Sequence, residues 1–194
     1  MRVLVVVASQ TGRTARMAEA VAAGAREAGA DVVVRRAEEA GDADLLAADA
    51  LILGSGVHMG GIEASMRQFF ARSAPLWLRG ALAGRIGAVF ATAGAGARGG
   101  GELAMLSMLA FLAENGMLLV SAPNRLEGFA SHGCHWGPIA WTNPRKGEVG
   151  PTEAQLVHAR AWGRHVAECT ARWRAGAAAL GARAQAARAK AGGP

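Results

Sequence analysis

The run Val3-Leu4-Val5-Val6-Val7-Ala8 leads straight into Ser9-Gln10-Thr11-Gly12-Arg13-Thr14, and a helical pattern begins there. A continuous β-branched run is what a strand buried on both faces requires, so the chain is predicted to centre on a parallel sheet covered by helices. The polar turn then sits at a helix N-terminus, where free N–H groups and the positive end of the helix dipole attract an anion. Ser9, Thr11 and Thr14 can each donate an O–H to a phosphate oxygen, Gln10 flanks them, Gly12 lets the backbone come close, and Arg13 can add a charge-assisted bond. A simpler reading is that Ser9 or Thr11 only caps the first helix. Three hydroxyls around a glycine directly after the first strand favour the phosphate.

Strands are predicted near residues 2–8, 31–35, 49–54, 85–92 and 117–121, and helices near 13–29, 62–73, 100–115 and 152–174, with a short helix over 42–48. Alternation of this kind gives an α/β domain in which ligands bind outside the carboxyl ends of the strands. Two further loops at that edge are rich in small residues. One runs Gly54-Ser55-Gly56-Val57-His58-Met59-Gly60-Gly61, and the other Thr92-Ala93-Gly94-Ala95-Gly96-Ala97-Arg98-Gly99. Three such loops suit a mononucleotide with a planar ring better than a lone anion.

A length of 194 residues matches one such domain with a substantial core. The net charge of +6 belongs to the end of the chain: all fifteen acidic residues lie at or before Glu168, and five of the 21 basic residues lie beyond residue 171. The body over 1–171 is therefore almost neutral, and 172–194 reads as a basic, Ala/Arg-rich helical tail. With no aromatic beyond Trp173, that tail lacks a stacking surface for nucleic acid. No apolar run reaches the roughly eighteen residues of a membrane span, so a cytoplasmic protein is expected. Cys134 and Cys169 give no disulfide framework. His132, Cys134 and His135 lack a second pair at zinc spacing and read as a loop over a ligand, and no metal is expected. Gly94 to Gly99 spells G-x-G-x-x-G, but after the fourth strand, where a dinucleotide fingerprint does not belong.

The turn Ser9-Gln10-Thr11-Gly12-Arg13-Thr14 resembles the Ser/Thr-x-Thr-Gly-x-Thr phosphate loop of the flavodoxin-like superfamily, and the rest resembles its WrbA-type NAD(P)H:quinone oxidoreductases. Met66-Arg67-Gln68-Phe69, Pro75-Leu76-Trp77 with Gly80-Ala81-Leu82, Thr92-Ala93-Gly94-Ala95-Gly96, Gly116-Met117 and Pro151-Thr152-Glu153 all carry the likeness, which covers roughly residues 2–170. It implies a three-layer flavodoxin-like sandwich with a five-stranded parallel sheet in the order 2-1-3-4-5. It also implies an FMN-dependent enzyme that passes two electrons from NADH or NADPH to a quinone-like acceptor, as a homodimer or homotetramer.

By the same resemblance, Ser9 to Thr14 hold the phosphate, Ser55, Gly56, Val57 and His58 line one side of the isoalloxazine, and Thr92, Ala93, Gly94, Ala95, Gly96 and Arg98 wrap its other edge. Trp77 falls where the family sets a tryptophan against the substrate, and no side chain is singled out as an obligatory catalytic acid or base. The chain departs from the family at Gly56-Val57-His58-Met59, where a Pro-Thr-Arg-Phe-like segment is usual, and at Glu114-Asn115, where a histidine pair is usual. It also has no tyrosine, and it lacks the insertion after strand two that many members carry. Other readings of the same fold are an electron carrier without its own substrate and a flavodoxin-fold protein that has lost flavin.

Overall fold

The computed structural model of the chain describes residues 1–94, 100–142 and 150–191. Its elements are β1 (Arg2–Ala8), α1 (Arg13–Glu27), β2 (Asp31–Arg36), α2 (Asp42–Ala47), β3 (Ala50–His58), β4 (Gly61–Ile62), α3 (Ala64–Arg72), α4 (Ala74–Leu78), β5 (Ile86–Gly94), α5 (Gly100–Glu114), β6 (Leu118–Leu119), α6 (Phe129–His132), β7 (Ile139–Thr142) and α7 (Glu153–Ala191). The main parallel sheet runs β2-β1-β3-β5-β6, the expected 2-1-3-4-5 order. Alternate side chains of β1 leave on opposite faces. Val3, Val5 and Val7 pack with Met17, Val21 and Trp162 from α1 and α7, whereas Leu4 and Val6 pack with Leu51, Phe69 and Met105 toward α3 and α5. Burial on both faces is why this strand reads as unbroken valine rather than as an apolar–polar alternation.

Two parts of the chain depart from the predicted strands and loops, and the last helix continues into the basic segment as one element. The expected fifth strand over 117–121 shortens to the two residues of β6, which pair with Ile86 and Gly87, and the same edge of β5 is taken up again by β7 opposite Ala91 to Gly94. Residues 120–138 leave the sheet between them. Opposite that gap, the buried Trp162 indole donates to the Val89 carbonyl at 3.1 Å and so satisfies a backbone acceptor that no strand reaches. The excursion itself folds against α7 rather than over the strand ends. The Phe129 ring lies 6.0 Å from that of His158, whose Nδ1 is 2.7 Å from the Glu127 carbonyl.

The loop expected after strand three is instead a β-hairpin. β3 continues to His58, and β4 returns antiparallel with Val57 opposite Ile62 and His58 opposite Gly61. Met59 and Gly60, both at positive φ (47° and 85°), make the two-residue turn. Finally, α7 passes residue 172 without a break. The Trp173 indole donates to the Gly84 carbonyl at 2.8 Å, and Arg174 pairs with Asp49 at 3.2 Å, so the first turn of the basic segment is fastened to the body.

The α1 and α7 helices cross with their backbones in contact. Glu27 at the end of α1 accepts hydrogen bonds from Arg160 and Arg164 of α7, and these, the Arg160 bond foremost, hold its carboxyl below the ordinary carboxylate value. A depressed carboxylate stabilises the fold above its unfolded-state pKa, and that contribution is lost as pH falls through the folded-state value. Glu27→Gln is therefore expected to lower the melting temperature modestly at pH 7, and the gap to wild type should close on acidification toward pH 3. A gap independent of pH would mean that the pairing contributes nothing at this exposed position.

Candidate functional site

The carboxyl ends of β1, β3 and β5 open into one cleft of about 130 Å³ lined by Gln10, Thr11, Arg13, Thr14, Gly56, Val57, His58, Glu63, Thr92, Ala93, Gly94 and Thr142. Ten of these twelve residues come from the three loops singled out in the sequence. The register explains their meeting. β1 and β5 both pair with β3, aligning Ala8 with Ser55 and Gly56 with Thr92, so each strand releases its loop at the same level.

The first loop presents a helix N-terminus at which a side chain takes up only one of the free N–H groups. Gly12 stands at the N-cap of α1 with φ +80°, a conformation that costs glycine little, and it has no side chain with which to cap. Ser9 Oγ accepts only the Ala15 N–H, at 3.1 Å, so the capping role foreseen for it is confined to one donor. The N–H groups of the first turn thus stand at the cleft with the positive end of the dipole behind them. Thr14, buried beneath the loop, shares a 2.7 Å hydrogen bond with Thr92 and ties the first loop to the third.

The second loop uses its hydroxyl differently. Ser55 Oγ donates to the Gly56 carbonyl at 2.8 Å and accepts the Glu63 N–H at 2.9 Å, so this serine braces the hairpin from within and does not line the cleft. Gly56 does line it. A Cβ there would lie 3.3 Å from Thr14 Oγ1 and 3.8 Å from both Glu63 Oε2 and His58 Cδ2, so its absence leaves a depression walled by polar groups. Of the third loop, Thr92 to Gly94 reach the cleft, and Thr142 of β7 donates to the Ala93 carbonyl at 3.4 Å. Ala95, Gly96 and Arg98, assigned to the same loop, lie outside the described residues, as does most of the G-x-G-x-x-G run.

Glu63 and Thr142 were not anticipated. Thr142 belongs to the strand segment that completes the sheet edge, and a four-residue strand leaves little periodicity to detect. Glu63 sits at the N-cap of α3 in a stretch that reads as a helix start, where an acidic residue ordinarily signals the helix dipole and nothing more.

Trp77 is placed elsewhere. It lies on a groove of about 510 Å³ between α3, α4 and α5, with Phe70, Phe111, Glu114 and Asn115. Both positions at which the sequence departs from its family near the end of α5 therefore face this groove and not the cleft. Neither thiol lines the cleft either. Cys169 Sγ is 3.7 Å from His165 Nε2, and burial raises the pKa of that thiol while lowering that of the imidazole. Among the described residues, no group of three or more His, Cys, Asp or Glu is placed to hold a metal ion, and no helix is long and apolar enough to cross a membrane.

The sequence profile of the flavodoxin domain matches residues 4–117. An NAD(P)H dehydrogenase (quinone) of Geotalea uraniireducens is 37% identical, the alignment covering 89% of this chain and 98% of the relative. Another of the same name from Archaeoglobus fulgidus is 33% identical over 86% of this chain and 96% of the relative. Among solved structures, a flavodoxin, WrbA-like protein from Agrobacterium tumefaciens superposes with a TM-score of 0.71 at 23% identity, covering 88% of this chain and 98% of that one. The flavodoxin of Megasphaera elsdenii gives 0.60 at 21%, covering 86% and 98%. Shared fold, profile and end-to-end similarity agree, and the chain belongs to the flavodoxin-domain family that these quinone dehydrogenases represent.

Proposed function

We propose that this protein is an FMN-dependent NAD(P)H:quinone oxidoreductase. The observation that carries the reading is the convergence of three strand-end loops on a cleft headed by a helix N-terminus whose first turn keeps most of its N–H groups free of side-chain caps. That helix end, Arg13 and the hydroxyls of Thr11 and Thr14 suit a phosphate, the Gly56 depression beside Thr92 suits a polar linker, and backbone from Gly56 to His58 and Thr92 to Gly94 suits the edges of a flat ring. The curated relatives, aligned over nearly their whole length, bear the matching activity in their names.

When bound, the flavin supplies the two-electron chemistry between a nicotinamide donor and a quinone-like acceptor. The chain's own task is placement and charge. The first-turn N–H groups of α1 neutralise the phosphate, and the hydroxyls of Thr11 and Thr14 fix its position. Gly94 can bring its main-chain N–H to the ring edge, where negative charge is stabilised by a fixed donor without reorganisation. His58, half-exposed on the hairpin, borders the open side at which donor and acceptor bind in turn. Trp77 does not line the cleft, so its proposed contact with the acceptor comes from a neighbouring copy in a homodimer or homotetramer.

Purified protein mixed with FMN is expected to turn yellow, quench flavin fluorescence and oxidise NADH or NADPH steadily only when benzoquinone is added. Flavin binding with no quinone-driven turnover would instead favour an electron carrier. A chain that takes up no FMN would have kept the fold and lost the flavin.

A further inference from the structure

Among the described residues, Glu63 is the one acidic side chain that lines the cleft, and its burial has no internal explanation. The side chain is 3% exposed. One carboxylate oxygen, Oε1, accepts the Ser65 hydroxyl at 3.2 Å. The other, Oε2, is shielded from solvent and has no hydrogen-bond partner, and the imidazole Nε2 of His58 stands off at 3.9 Å. Nor does the carboxylate cap α3, although Glu63 occupies the N-cap position. A buried acceptor left without a donor is costly, and a hydrogen bond to a charged group is among the stronger ones, so a donor reaching Oε2 from the cleft would be bound well.

The position of Oε2 says what kind of donor this is. The depression over Gly56 is bordered at 3.3 Å by Thr14 Oγ1 and at 3.8 Å by Glu63 Oε2. Thr14 belongs to the turn proposed to hold the phosphate, so this depression adjoins the phosphate position. A second anion next to the phosphate would be repelled by the carboxylate. A neutral hydroxyl carried close to the phosphate on the same molecule is attracted, because it can donate to Oε2 while meeting Thr14. The polyol linker of a flavin mononucleotide carries such hydroxyls.

We propose that Glu63 is a specificity residue for the linker: its Oε2 accepts a hydrogen bond from a ribityl hydroxyl, so the site selects a polyol-linked flavin phosphate over one with a plain alkyl linker. The proposal rests on the flavin reading above. It assigns a binding role to a residue outside the three loops that carry the family's sequence pattern, and it accounts for the unpartnered carboxylate oxygen that the described residues place in the cleft.

The test titrates wild type, Glu63→Gln and Glu63→Met by fluorescence quenching with two probes, FMN and a flavin 5-phosphopentyl analogue that lacks all linker hydroxyls. Wild type is expected to bind FMN at least tenfold more tightly than the analogue. That ratio should shrink in Glu63→Gln, which keeps an acceptor oxygen without the charge, and approach one in Glu63→Met, which has neither. The analogue itself should bind the Met variant at least as well as wild type, since no acceptor is then left unpaired. Equal binding of the two probes by wild type overturns the proposal without reference to any variant. A ratio unchanged in both variants overturns it as well, by assigning the discrimination to other groups. If wild type binds neither probe, the flavin reading fails and this proposal fails with it, an outcome distinct from binding without discrimination.

Discussion

Alanine at both Thr11 and Thr14 is expected to weaken FMN binding by about a hundredfold, to be read as a dissociation constant by fluorescence quenching. Each hydroxyl is expected to contribute a hydrogen bond to a charged phosphate, worth about 1.5 kcal/mol or more, and the two together give roughly that factor. Thr11 lines the cleft directly, and the Thr14 hydroxyl is held in place by its 2.7 Å bond to Thr92. Binding should not vanish, since the N-terminus of α1 keeps its main-chain donors when the two threonines are replaced. Serine at both positions restores the hydroxyls and should return affinity close to wild type, which separates lost hydrogen bonds from lost packing at the buried Thr14. An affinity unmoved by the alanine pair would place the phosphate somewhere other than the end of β1.

Gly163→Ala is expected to destabilise the chain by about 3 kcal/mol, read from the midpoint of urea unfolding. A Cβ at this position would lie 1.9 Å from the Val21 carbonyl oxygen, and Gly24 on the opposing helix faces the Arg160 carbonyl in the same way. Both obstacles are backbone, so no rotamer change relieves the clash, and α1 and α7 must move apart over a face that buries Met17, Val21 and Trp162. The sign makes the test sharp. By helix propensity alone, alanine in place of a helical glycine adds up to about 1 kcal/mol of stability. Gly176, on the exposed part of the same helix with nothing within 4 Å of its Cβ position, isolates that term. Gly176→Ala should be neutral or stabilising. If Gly163→Ala behaves likewise, the two helices do not pack as described.

How far the sequence can be read depends on how far apart the interacting residues lie. β1 and the turn that follows are local: six apolar residues can form only a buried strand in this setting, and Ser9 to Thr14 must then start a helix. The small-residue loops after β3 and β5 were legible for the same reason, and the parallel register carries ten of their residues into one cleft. The hairpin over residues 57–62 was not legible, because Val57-His58-Met59-Gly60-Gly61 is read as an open loop until two strand residues are allowed to pair with one another. Ser55 belongs with it: as a loop residue it looks ready to meet a ligand, yet once the hairpin closes both of its hydrogen-bonding roles are taken up inside.

What the sequence determined by itself was the layered α/β architecture and the edge of the sheet at which the small-residue loops gather. Those follow from hydrophobic periodicity and from helix-end electrostatics, which act within a few residues of one another. Only the tertiary structure decided that β6 and β7 share one edge of β5, that Trp162 serves the Val89 carbonyl between them, that Trp77 lies away from the cleft and that Glu63 lies within it. Each of these outcomes depends on which backbone groups are already paired and how much space a distant glycine leaves, and no local pattern records either.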